Sequence, residues 1–208
     1  RVPQGIRLSH ARQRALPPGQ GPGAPPAKGQ RVRRAPADCG NALPGRTVRR
    51  NRCVVHFSVL DGENVRVIEW IAAPDGPRTE TSVGMLSPPS CTANGKAILA
   101  FGTVDQVTTV RRAGHKARTR HSVVEQTQFL RELQETARCG FSINRQEAKI
   151  GVSTFRAPVL LRGRALAGVS IATFMHKVDH VQLAPTLQQA CRRISKAIEA
   201  DPFFAPRP

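Results

Sequence analysis

His176 and His180 stand four residues apart with Asp179 between them, the spacing at which a helix presents two imidazoles to one metal ion. They fall between a strand-like and a helix-like segment with no third soft ligand nearby, so surface histidines are the expectation. Asn94-Gly95-Lys96 has some of the character of a phosphate loop but lacks the full G-x-x-x-x-G-K-[ST] pattern, and Lys96 is expected to be an exposed helix residue. No serine or cysteine can be tied to a His and acid partner, and paired carboxylates are scarce, so no catalytic set and no enzyme activity is expected. The five cysteines (Cys39, Cys53, Cys91, Cys139, Cys191) are widely spaced and never in C-x-x-C arrangement, which reads as free thiols, with neither a bound metal nor any other cofactor. Backbone chemistry is left. Ala93 to Phe101 reads as a short helix whose start, after Thr92, is fed by a loop. Such a start offers unpaired N–H groups and the positive end of a helix dipole, a receptor for a carboxylate. Thr92 capping its own helix is the simpler reading and does not exclude a ligand.

Elements of both kinds must hold that helix. Val54 to Leu60 and Val65 to Ile71 are β-rich runs joined by Asp61-Gly62-Glu63-Asn64, a hairpin signal. A loop rich in Pro, Gly, Ser and Thr from Pro74 to Ser90 leads to the short helix. Residues 102–121 read as basic and irregular; Arg111-Arg112-x-x-x-Lys116-x-Arg118-x-Arg120, with no interleaved aromatics, is a solvated loop or a phosphate-contacting patch. Ser122-x-x-Glu125 reads as a capping box before a helix carrying Phe129, Leu130, Leu133 and Ala137 and ending at Gly140. Thr154 to Leu161 and Ala165 to Phe174 form a second hairpin about Arg162-Gly163-Arg164. Pro185 to Ala200 places Leu187, Ala190, Cys191, Ile194 and Ile198 at helical spacing. This order implies an α+β domain with an antiparallel sheet and flanking helices.

Charge divides the chain unequally. Residues 1–53 hold twelve basic residues against one acid, with eight Pro, seven Gly and no aromatic, out of a net charge of +18 for the whole. That stretch cannot bury enough apolar surface to offset its ordering entropy and is expected to be a disordered basic segment, as is a short tail at 201–208. Two explanations stay open: a genuine arm that holds nucleic acid non-specifically through its phosphates, or out-of-frame text encoded by GC-rich DNA. The chain begins with Arg instead of Met, which fits a fragment, a processed product or an incorrectly called start. With no apolar run near 18 residues and no signal-peptide core, a cytoplasmic protein with no membrane partner is expected.

Several segments together resemble the effector-binding domain of the IclR family of bacterial transcriptional regulators. Leu60-Asp61-Gly62-Glu63 is similar to its "VLDG" hairpin, and Ser90-Cys91-Thr92-Ala93-Asn94-Gly95-Lys96-Ala97-Ile98-Leu99-Ala100 to its "HATALGKALLA". Gly140-Phe141-Ser142-Ile143 through Gly151-Val152 resembles "GYAVDDEEYEPGV", Ala157-Pro158-Val159 resembles "AAPV", and Gly163 to Ile171 resembles "GRVVAALSVSG". The resemblance covers about residues 54–200. It implies a GAF-like fold, a small carboxylate or aromatic acid as effector, a homodimer or homotetramer, and control of DNA by a winged helix-turn-helix that is not recognisable in residues 1–53, where Pro17, Pro18, Pro22, Pro25 and Pro26 forbid a recognition helix. A truncated or degenerate regulator is the competing reading.

Position by position, the resemblance implies effector contacts from Thr92, from the backbone of Ala93 and Asn94, and from Asn144, Thr154, Ser170 and Ala172. Of the last four, three depart from the family's commonest residues, Asn144 for Asp, Thr154 for Cys and Ala172 for Ser. Strand alternation then places Arg156 on the same side as Thr154, where it is either a carboxylate clamp or a solvated arginine at the strand edge.

Overall fold

The computed structural model describes residues 48, 51–79, 81–175 and 180–204, the side chains of 180–182 excepted; all lie within the unit Arg34–Pro208. The expected basic segment, His176 and Asp179, and the side chain of His180 fall outside the described residues.

Strands β1 (Val54–Asp61) and β2 (Asn64–Ala72) form the first hairpin, closing at the Asp61 and Asn64 pair with Gly62 at φ 59°. Strands β5 (Val152–Leu161) and β6 (Arg164–Phe174) form the second. Its two turn residues, Arg162 and Gly163, have φ of 51° and 77°, the left-handed pair that a two-residue hairpin turn demands. Two further strands were not expected: β3 (Leu86–Ser87), inside the loop, and β4 (Ser142–Arg145), where four residues are too few for alternation to register. The six form one antiparallel sheet in the order β3-β2-β1-β6-β5-β4, as an α+β domain requires.

Each face of the sheet has its own cover. Phe155, Ala157 and Val159 of β5, with Val169 and Ile171 of β6, pack under helix α4 (His180–Glu199) through Leu187, Cys191, Ile194 and Ile198. That helix begins before Pro185, which sits inside its first turns instead of opening it. On the other face lies α1 (Ala93–Ala100), packed between the sheet and α3 (Gln126–Cys139). Every residue from Ala93 to Leu99 is buried. A helix covered on all sides shows no polar stripe.

Residues 102–121 are not irregular throughout. Helix α2 (Val104–Ala113) opens with a reciprocal capping box in which Gln106 N donates to Thr103 Oγ1 at 3.2 Å and Thr103 N to Gln106 Oε1 at 2.9 Å. Its Val110 joins Leu99, Val123, Phe129 and Leu133 in a second apolar cluster. Conversely, Ser122-x-x-Glu125 is no capping box: Glu125 is itself the N-cap of α3, its carboxylate accepting from Thr127 N at 2.7 Å, while Ser122 Oγ accepts from Arg118 N and Thr119 N. An ionised N-cap also meets the positive helix end, which holds Glu125 below its ordinary range through those backbone bonds.

Both edges of the domain reach beyond the expected limits. Val48 and Cys53 are buried in the main core, joined by a Cys53 N to Val48 O bond of 3.2 Å. At the other end Pro202–Phe204 forms a 3-10 turn; Phe204 packs on the core and its carbonyl accepts from Arg162 Nη2 at 2.7 Å. Among the described residues no disulfide forms, and no helix is long and apolar enough to cross a membrane.

Candidate ligand site

The face of the sheet under α1 is built in rows across the strands. Val54, Ala172, Thr154 and Asn144 are one row; His56, Ser170, Arg156 and Ser142 are the next. Alternation puts all of these opposite the α4 core, and the first turn of α1 stands above them. The close approach needs glycine at two points. A Cβ on Gly168 would lie 2.9 Å from Asn94 O, and one on Gly95 2.4 Å from Pro89 Cα.

Beside this contact opens a cavity of about 520 Å³, within the range of small-molecule sites. Thr92, Ala93 and Asn94 form one wall; Thr154 and Ala172, with His56 and Ser58 of β1, form the floor. Val65 and Val67 of β2 and the loop residues Thr79, Thr81 and Met85 close a second side, and Arg118, Thr119, Lys149 and Ile150 a third. Five expected contact residues therefore meet at one cavity. The Thr92 side chain does not cap its helix: its Oγ1 donates back to Pro88 O at 3.2 Å, and among the described residues no side chain satisfies the first-turn amides of α1.

The other three expected contacts lie behind the wall. Asn144 is 1% exposed and fastens two segments, Nδ2 donating to Cys91 O at 3.2 Å and Oδ1 accepting from Glu147 N at 3.0 Å. Ser170 is buried between His56 and Arg156 in its row. Arg156 is neither a solvated edge residue nor a wall of the cavity; it is 1% exposed, with no hydrogen-bond partner for Nε or Nη1. Burial pulls its guanidinium down to about 10, against the opposing influence of Glu147 and Glu132, so it remains charged at neutral pH.

Lys96, expected to be exposed, is fully buried and pairs with Glu147 and, at 2.6 Å, with Glu132 of α3. Two cations and two carboxylates thus gather between α1, α3 and β5. Burial pushes Glu147 up and Lys96 restrains it. Lys96 and Glu147 are both hidden from water and each is the other's counter-charge, the condition under which buried charge is tolerated.

Within the cavity the charge is of one sign among the described residues: Arg118 and Lys149 are its charged lining side chains. His56 is lowered by burial to about 4, so at neutral pH its ring is uncharged and meets Thr81 Oγ1 at 3.1 Å. Sequence reasoning missed Arg118 as a cavity residue, since its run was read as a solvated loop or a phosphate-contacting patch, and missed Ser58, Thr79, Thr81 and Lys149, for which no signal short of the fold exists.

Comparison with known proteins agrees with this architecture. Residues 46–200 match the family described as bacterial transcriptional regulator IclR, C-terminal. The glycerol operon regulatory protein of Streptomyces coelicolor is 28% identical over 149 residues, covering 71% of this chain and 58% of that protein. The DNA-binding transcriptional repressor YiaJ of Escherichia coli K12 is 27% identical over 152 residues, covering 69% and 54%. Among solved structures, the transcriptional regulator YaiJ superposes with a TM-score of 0.70 at 24% identity, covering 77% of this chain and 93% of that one. An IclR homologue of Microbacterium hydrocarbonoxydans complexed with 4-hydroxybenzoate gives 0.72 at 16% identity, covering 78% and 67%. The fold and its family match define a regulatory domain of the transcription-factor class, not an enzyme. The chain belongs to the IclR family of bacterial transcriptional regulators. It spans little more than half the length of the curated relatives it matches.

Proposed function

We propose that the cavity at the start of α1 senses a small organic acid in the cytoplasm, and that its occupation biases a homodimeric or homotetrameric assembly whose DNA binding is thereby controlled. The observation that carries this reading is the coincidence of uncapped first-turn amides with Arg118 and Lys149 in the lining of the same cavity. Thr92, Ala93, Asn94, Thr154 and Ala172 are the contacts; Asn144, Arg156 and Ser170 hold the wall and floor in place. The 4-hydroxybenzoate complex of the Microbacterium homologue supports a ligand of this kind for the fold. A ligand that shifts an assembly must bind one state better than the other, so the effect on DNA equals that difference in affinity.

A thermal-shift screen against carboxylates tests the reading. A ligand at 100 times its dissociation constant adds about 2.7 kcal/mol of stability, and Ala172→Phe, which fills the floor, abolishes the response. A stable protein that answers to no carboxylate, or whose response survives that substitution, refutes it.

A further inference from the structure

Asn94 lines the cavity and is 4% exposed, yet only half of its amide is used. Nδ2 donates to Ser58 Oγ at 2.8 Å and to the carbonyl of His56 at 3.4 Å. A carbonyl can only accept, so the nitrogen faces β1 and the orientation of the amide is settled. Oδ1 is buried with no hydrogen-bond partner. Buried polar atoms are almost always satisfied, and an orphan acceptor is an exception that asks for a donor. A carboxylate cannot supply one; a hydroxyl can.

Arg118 and Lys149 face the same cavity and offer charge to a carboxylate. Among the described residues, three hydroxyls on its walls, those of Thr79, Ser87 and Thr154, have no side-chain hydrogen-bond partner and can turn as donor or acceptor to suit a second oxygen.

We propose that the effector is a hydroxylated organic acid, its carboxylate set by Arg118 and Lys149 and its hydroxyl donated to Asn94 Oδ1, which makes Asn94 the residue that distinguishes hydroxy acids from plain acids. The inference rests on the cavity being the effector site and adds the ligand's chemical class. A site with a buried hydrogen-bonding group rejects the analogue lacking its partner, because binding that analogue leaves the group unpaired. The residue at this position of the quoted family motif is leucine, which offers no such group.

The test uses acid pairs that differ by one hydroxyl: lactate and propionate, 3-hydroxybutyrate and butyrate, 4-hydroxybenzoate and benzoate, each titrated calorimetrically into the 208-residue chain. In at least one pair the hydroxylated member binds roughly tenfold more tightly or better, and Asn94→Leu brings that ratio to about one. The wild-type ratios decide the matter even if the variant fails to fold. Ratios near one in every pair that binds, with binding still lost in Ala172→Phe, overturn the hydroxyl and leave the effector site standing. Binding by none of the six removes both.

Discussion

Lys96 shows how a single side chain changes meaning once its partners are known. In sequence it is a lysine in a short helix, where solvent exposure is the default. Its carboxylates lie 36 and 51 residues further along, on α3 and in the turn after β4, and no local pattern connects them. Removing the cation leaves Glu147 buried without its counter-charge, so Lys96→Met is expected to cost about 3–5 kcal/mol. Lys96→Met with Glu147→Gln removes charge from both sides and recovers most of that loss; denaturant unfolding of the two singles and the double gives the coupling. Additive losses would show that the pair has no shared energy. His56 makes a prediction in pH. Its folded pKa of about 4 lies below the ordinary 6.5. As pH falls through 6.5 the unfolded chain takes up a proton that the folded one refuses until about 4. Stability is therefore intact above 6.5 and declines below it, at no more than about 1.4 kcal/mol per pH unit from this group. His56→Gln flattens the stability profile between these limits, and an unchanged slope would contradict the assignment.

At the scale of elements, the hairpins were legible because Asp61-Gly62 and Arg162-Gly163 punctuate apolar runs, and α4 because its buried stripe repeats at helical spacing. Helix α2 was hidden by its polarity. Only Val110 is buried, so the apolar rhythm is faint, and the capping signal that marks its start, Thr103 with Gln106, was passed over for the similar spacing of Ser122 and Glu125. Spacing alone cannot tell which hydroxyl meets a helix start; Ser122 is turned to the backbone of Arg118 and Thr119. Placement of α1 is set by Gly168, over which the backbone of Asn94 passes. Gly168→Ala puts a methyl 2.9 Å from Asn94 O, and backbone cannot step aside as a flexible side chain can. Lifting α1 by a fraction of an ångström costs about 1–3 kcal/mol in the core and displaces the amides that face the cavity. Unfolding should show the loss of stability, and calorimetry a parallel loss of acid binding; a variant as stable as wild type would mean that the helix shifts without resistance.

Across the whole molecule, family resemblance located the domain and named five of the residues that line the cavity at the start of α1, because short motifs at the right distances survive where pairwise identity is low. Composition and the apolar pattern place the start of order at Val54, and there they mislead. Residues 1–53 are Arg-, Pro- and Gly-rich on average, and an average conceals two core residues at the end of the stretch. Val48 is 3% exposed and Cys53 fully buried, where desolvation lifts the thiol to about 11. Ala73 N donates to Cys53 O at 2.9 Å, tying this lead-in to the end of β2. The match to the family likewise begins at residue 46. Two truncations separate the alternatives. A chain of residues 46–208 retains Val48 and its bond to Cys53, whereas one of 54–208 exposes the core side chains that those two cover. Burial of a valine alone is worth about 1.5–3 kcal/mol, so the shorter chain is expected to be less stable by at least that much in denaturant unfolding, with unchanged dependence on denaturant concentration if the rest of the fold is intact. Equal midpoints for the two would place the true edge of the domain at β1 and reduce Val48 to a contact without consequence.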